Sequence, residues 1–165
     1  MELKKINVGY GRTKLGIDNA KICFKNFDGS KEGYALGFSV IIPNEEIKDL
    51  LINDVNEHGA SWNVKIAPPR EEGDTPFMHL PVKFKIRDRS PQIYVVSNGK
   101  TMQMAPVDIH RLQKMSIASV DLDISPSDGV LHGRAYRSAY LDAIWVYMNV
   151  GRLEARFAEQ EYPEE

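Results

Sequence analysis

Between Val82 and Arg87 the chain alternates apolar and cationic residues. In a strand, Val82, Phe84 and Ile86 fall on one face and Lys83, Lys85 and Arg87 on the other. A strand rises about 3.3 Å per residue, so same-face neighbours stand about 6.6 Å apart, close to the phosphate spacing of an extended single strand of nucleic acid. The chemistry on offer is electrostatic: a row of cations, continued by Arg89, along a polyanion. A solvated sheet face whose lysines guard an edge explains the same alternation without a ligand.

Single-strand binders also need flat side chains, on which each stacked base contributes about 1–3 kcal/mol. Cations and rings occur together at several places: Lys25 beside Phe27, Trp62 before Lys65, Tyr94 bracketed by Arg89 and Lys100, and Arg134-Ala135-Tyr136-Arg137 followed by Tyr140. Phe24, Trp62 and Trp145 lie in strongly apolar stretches, where core packing is the better reading. Tyr136, between arginines in a polar, glycine-containing stretch, is expected to be exposed.

The best enzymatic candidate is Asp121 with Asp123, joined by Asp142 elsewhere. An Asp-x-Asp on a strand puts two carboxylates on one face, as divalent-metal nucleases often do to build a site. Solvent-facing aspartates alternating with Val120, Leu122 and Ile124 account for the pattern without chemistry. His58, His79, His110 and His132 are scattered and none has a second ligand at metal spacing, so no zinc site and no cofactor is expected. A Walker-type loop, a GxGxxG turn and a GxSxG elbow are all missing.

The elements that must position these residues read mostly as strands. Strands are expected at 20–27, 37–42, 61–67, 80–89, 92–97, 100–104, 117–124 and 138–148. Asn98-Gly99 marks a hairpin, and 126–129 is expected to turn the chain. One clear helix starts at the N-cap Asn44, presents Ile47, Leu50, Leu51 and Val55 on one side, and stops at Gly59. A short helical turn is expected over 106–114. This pattern predicts an all-β domain with one or two helices, a small antiparallel barrel or sandwich. Residues 1–19, basic and glycine-rich, read as a mobile arm or irregular first strand, 20–152 as the domain and 153–165 as an acidic tail.

The chain has 165 residues and a net charge of −2, which argues weakly against nucleic acid until it is resolved by position. Residues 1–40 hold seven Lys/Arg against four Asp/Glu, 41–80 three against eight, 81–152 ten against six, and 153–165 one against five. A neutral average can therefore hide a basic groove, which should avoid the acidic helix. No apolar run reaches membrane-spanning length, no signal-type segment is seen, and the lone Cys23 forms no internal disulfide; a cytoplasmic location is expected.

Taken in order, Trp62-Asn63-Val64-Lys65, Leu80-Pro81-Val82-Lys83, Arg89-Ser90-Pro91, Gly99-Lys100-Thr101-Met102, Val120-Asp121-Leu122-Asp123-Ile124-Ser125-Pro126 and Gly133-Arg134-Ala135-Tyr136 resemble a family of bacteriophage OB-fold single-stranded-DNA-binding proteins. The resemblance implies a five-stranded OB-type barrel with additions, non-catalytic coating of single-stranded DNA in phage replication or recombination, and an acidic tail for protein partners. The nucleic-acid-binding residues expected are Lys83, Lys85, Arg87, Arg89, Lys65, Lys100 and the pair Arg134 and Arg137, with Tyr94, Tyr136 and Trp62 stacking on bases. In the tail, Phe157, Tyr162, Glu164 and Glu165 are the candidate partner contacts. Its ending, Tyr162-Pro163-Glu164-Glu165, departs from the acidic Pro-Phe ending of bacterial relatives. The oligomeric state stays open, with a homodimer among the options; a phage adaptor with a β-barrel and a metal nuclease are the alternative functions.

Overall fold

Residues 1–19 fold into a hairpin rather than an arm. In the computed structural model, which describes residues 1–149, β1 (Glu2–Gly9) pairs antiparallel with the first half of β2 (Arg12–Asn26), and Leu15 and Ile17 of β2 are buried. Glycine content suggested irregularity, yet Tyr10-Gly11 has both φ values positive and makes a tight two-residue turn. Asn98-Gly99 and His132-Gly133 turn in the same way.

Next come β3 (Gly37–Ile41), α1 (Glu45–Ile52), β4 (Lys65–Ala67) and β5 (Phe77–Lys83). They are followed by β6 (Gln92–Ser97), β7 (Lys100–Met104), a 3-10 helix (Pro106–Gln113), β8 (Ile117–Leu131) and β9 (Arg134–Met148). The mostly-β class with helical additions is therefore as expected. Antiparallel pairings run β5–β3–β2–β8–β9, and a parallel pairing of Val82 with Ala139 and Lys83 with Tyr140 returns from β9 to β5, so the five strands form a ring. Ile17, Val40, Leu80, Val120, Ile124, Ile144 and Val146 point into it and are fully buried. The 3-10 helix packs Ile109 and Leu112 into the same core. It is tied to β2 by Gln113, whose amide donates to the Lys25 carbonyl and accepts from the Phe27 N–H.

Three further expectations change. The strand expected to run through Arg89 ends at Lys83, and Asp88 turns with φ +68°. Pro126 to Gly129 do not turn the chain; they lie inside β8, which with β9 forms a hairpin reaching its turn only at His132-Gly133. The helix stops at Asn53 rather than near Gly59, after Asn44 has capped its start by accepting the Ile47 N–H at 2.9 Å. Proline within β5 is tolerated because Pro81 falls in a gap: β4 pairs only as far as His79 and β9 only from Val82.

Candidate nucleic-acid interface

Strand alternation on β5 sends Met78, Leu80 and Val82 inward and Phe77, His79, Pro81 and Lys83 outward. β3 lies close alongside, because Gly37 sits where a methyl group would run into the Val82 carbonyl. Onto this outer face comes Phe24. The register of β2 against β3 slips between Cys23 and Asn26, and Phe24 within that bulge has φ +50°, an unusual conformation for a bulky residue. The bulge breaks the period-2 pattern and re-aims the ring: Phe24 is 55% exposed, which corrects the expectation of core packing.

Phe24, Phe77 and His79 form an exposed ring cluster, with centroids 5.1 Å apart for Phe24–His79, 5.5 Å for Phe77–His79 and 6.0 Å for Phe24–Phe77. Lys31 lies over the Phe24 ring at 5.8 Å, and Tyr34 stands 77% exposed beside it. The loop carrying both is held by buried Asn26, which donates to the Tyr34 and Ala35 carbonyls and accepts from the Lys31 N–H. His79 Nδ1 is 2.9 Å from Ser39 Oγ; burial, and then the charge of Lys65, push its pKa below the ordinary value. Phe24, Lys31, Tyr34, Ser39 and His79 line an apolar groove of about 600 Å³ together with Lys65 and Lys83, and Phe77 stands beside it, against Phe24 and His79.

Lys83 also lines a second, larger cleft of about 1040 Å³, between the 59–64 segment and the β8–β9 hairpin, with Arg134, Tyr136 and Tyr140. Tyr140 in turn borders a third, of about 270 Å³, with Lys85, Arg87 and Arg89. The shared residues join the clefts end to end. Among the described residues, Lys31, Lys65, Lys83, Lys85, Arg87 and Arg134 make no ion pair, so their charge is available to a ligand. Lys85 also lies 5.7 Å from the centre of the Tyr140 ring. Tyr136 is half-exposed and lies across Gly129, its partner on β8, where any side chain would collide with the ring.

Of the residues expected from sequence, Lys65, Lys83, Lys85, Arg87, Arg89, Arg134 and Tyr136 line this continuous surface. Arg89 is partly committed to Asp142, at 3.6 Å. Trp62 and Arg137 border the cleft but are otherwise occupied. Trp62 is 4% exposed and donates through Nε1 to Asp54, so it offers no free face for a base. Arg137 is paired with Asp54 and Asp128, lies 5.3 Å from the Trp62 ring centre, and locks the hairpin to the end of α1. Tyr94 and Lys100 sit on the β6–β7 hairpin and are absent from all three cleft linings; Tyr94 stacks on Trp145 at 5.3 Å, and the half-buried Trp145 is thus a surface rather than a core residue. The tail residues Phe157, Tyr162, Glu164 and Glu165 lie outside the described residues.

The paired aspartates have structural work. Asp121 accepts from the Asn19 N–H at a bulge in β2 and from the Tyr147 hydroxyl. Burial pushes the pKa of Asp123 upward, against the pull of Lys14 and Lys4, while Asp142 accepts from Ser125 and faces Lys14. Among the described residues no group of three His, Cys, Asp or Glu side chains could hold a metal ion. Sequence reasoning missed Phe24, Lys31, Tyr34, Phe77 and His79; the signal for the last two, an alternation of outward rings on Phe77-Met78-His79-Leu80, was present.

No curated protein sequence matches the chain. Among solved structures, the single-stranded DNA-binding protein from bacteriophage Enc34 matches with a TM-score of 0.50 at 13% identity, covering 96% of this chain and 99% of that one. The same phage protein in complex with ssDNA matches at a TM-score of 0.49, also at 13% identity, with 90% of this chain and 96% of that one covered. The first likeness supports the fold. A family model described as "Putative phage ssDNA-binding domain" matches residues 6–165. The ring of strands carrying a basic, ring-studded groove therefore belongs to a chain of the phage single-stranded-DNA-binding domain family.

Proposed function

We propose that the protein binds single-stranded DNA without sequence preference, laying the backbone along Lys31, Lys65, Lys83 and the Lys85–Arg89 segment while bases stack on Phe24, Phe77, His79, Tyr34 and Tyr136. The observation that carries this reading is the Phe24–Phe77–His79 ring cluster beside a groove lined by Lys31, Lys65 and Lys83, which make no ion pair among the described residues. Rings accept any base, and lysines accept any phosphate, so the surface suits coating rather than reading. A duplex hides its bases and cannot use the rings. The five-stranded ring agrees with an OB-type framework.

The role is non-enzymatic in this reading, since Asp121 is bonded to Asn19 and Tyr147, Asp142 to Ser125 and Lys14, and Asp123 is half-buried in the sheet. Phage replication or recombination in the host cytoplasm is the setting proposed, with the tail residues Phe157, Tyr162, Glu164 and Glu165 recruiting partner proteins. Fluorescence titration with oligo-dT and with a duplex of equal length tests the binding reading. Oligo-dT should bind far more tightly, and Phe24→Ala should weaken it roughly 5- to 150-fold, equivalent to about 1–3 kcal/mol for a lost stacking ring. Equal affinity for the duplex, or no effect of Phe24→Ala, would remove the groove from the function.

A further inference from the structure

Among the described residues β1, β4 and β7 each pair with a strand on one side only. β4 is three residues long, and β1 sets Lys4 and Lys5 in its middle, the kind of charge that keeps edges apart. β7 reads Lys-Thr-Met-Gln-Met, with its single charge at the first position. We propose that β7 is the interface of a homodimer, in which it pairs antiparallel with β7 of a second copy about a twofold axis through Met102.

The hydrogen-bond phase of the hairpin supports this register. The two-residue turn Asn98-Gly99 makes Ser97 and Lys100 the closing bonded pair, so Met102 opposite Val95 and Met104 opposite Ile93 also direct their backbone groups to β6. The N–H and C=O of Thr101 and Gln103 point to the open edge. With Met102 opposite its own copy, Thr101 of each chain faces Gln103 of the other, and these two pairs exchange backbone hydrogen bonds in the standard antiparallel pattern. Lys100 then meets Met104 and never another lysine, so no like charges are opposed.

Apolar chemistry agrees with the register. Met102 is 71% exposed, yet it lies on the face that carries Val95 and Met104, both of which pack against the core. A second Met102 beside it extends that face across the edge, in the non-hydrogen-bonded position where opposed side chains approach most closely. β7 contributes nothing to the groove lining, so the dimer stands or falls separately from DNA binding.

Sedimentation of the full chain without DNA over a range of concentrations should show a monomer–dimer equilibrium, and Met102→Lys, which opposes two cations on the axis, should shift it to monomer with an unchanged melting temperature. In a Cys23→Ser background, Met102→Cys should cross-link under mild oxidation, because Cα atoms about 4.5 Å apart suit a disulfide, whereas Thr101→Cys, facing residue 103, should not. A wild-type monomer at every concentration, a dimer that survives Met102→Lys, or cross-linking of Thr101→Cys as readily as Met102→Cys would each overturn the assignment.

Discussion

Phe24 shows how one strained residue can prepare a ligand site. A left-handed conformation costs a non-glycine residue about 1–2 kcal/mol, and here that cost accompanies a ring held outward, beside His79 and Phe77, before any base arrives. His79 adds a pH dependence whose sign follows from its surroundings. Burial and Lys65 keep it neutral to lower pH than usual, so in the free protein the unfolded chain takes up the proton first, and stability falls as pH drops below about 6.5. Bound phosphate favours the imidazolium instead. Affinity for oligo-dT should therefore rise as pH falls from 7.5 toward 5.5, and His79→Gln should flatten that rise in parallel titrations. At this scale the sequence was readable where charge alone decides, as at Lys83 and Arg134. It was opaque at Phe24, because a strand pattern read with period 2 has no marker for an extra residue, and the bulge contains neither glycine nor proline.

The β8–β9 hairpin is the element on which the largest of the three clefts depends. Its length was hidden by Pro126 and Gly129, which ordinarily announce a turn but here lie within a strand, the glycine making room for the Tyr136 ring. Gly129→Val should push Tyr136 off its seat. The expected result is weaker oligo-dT binding, by a few-fold to tens of fold, with little change in the thermal midpoint, since both residues are on the surface; calorimetry and titration of the same preparation check it. The basic segment after β5 teaches the converse. Its strand character fails beyond Lys83, where Asp88 turns the chain, yet Lys85, Arg87 and Arg89 remain together because the turn folds them against Tyr140 and Ser125. Charge clustering in sequence survived a wrong secondary structure.

For the molecule as a whole, segregation of charge matters more than its sum. A chain of net charge −2 keeps the carboxylates of its acidic helix, Glu45, Glu46 and Asp49, out of the cleft linings, where lysines and arginines converge from the β2–β3 loop, β4, β5, the segment after it and β9. If about four of them contact phosphate, log affinity should fall against log salt with a slope of about −2.8, and Lys83→Glu, at the junction of two clefts, should make the slope shallower by about 0.7 or more for any sequence. A salt series on wild type and variant measures both. The all-β class was legible from turn residues and alternation, while the closing of the ring was not, because the parallel return from β9 to β5 joins residues far apart in the chain with no local signature.

That return is also the shortest join in the ring, two residue pairs against longer antiparallel ladders elsewhere. Its members include Lys83 and Tyr140, the same side chains that link one cleft to the next. The ring's clasp thus lies directly beneath the path proposed for the ligand. On that path a DNA strand crossing from β5 to β9 would fasten the two sides together, so occupancy should slow hydrogen exchange there more than anywhere else and make the cargo a brace for its carrier.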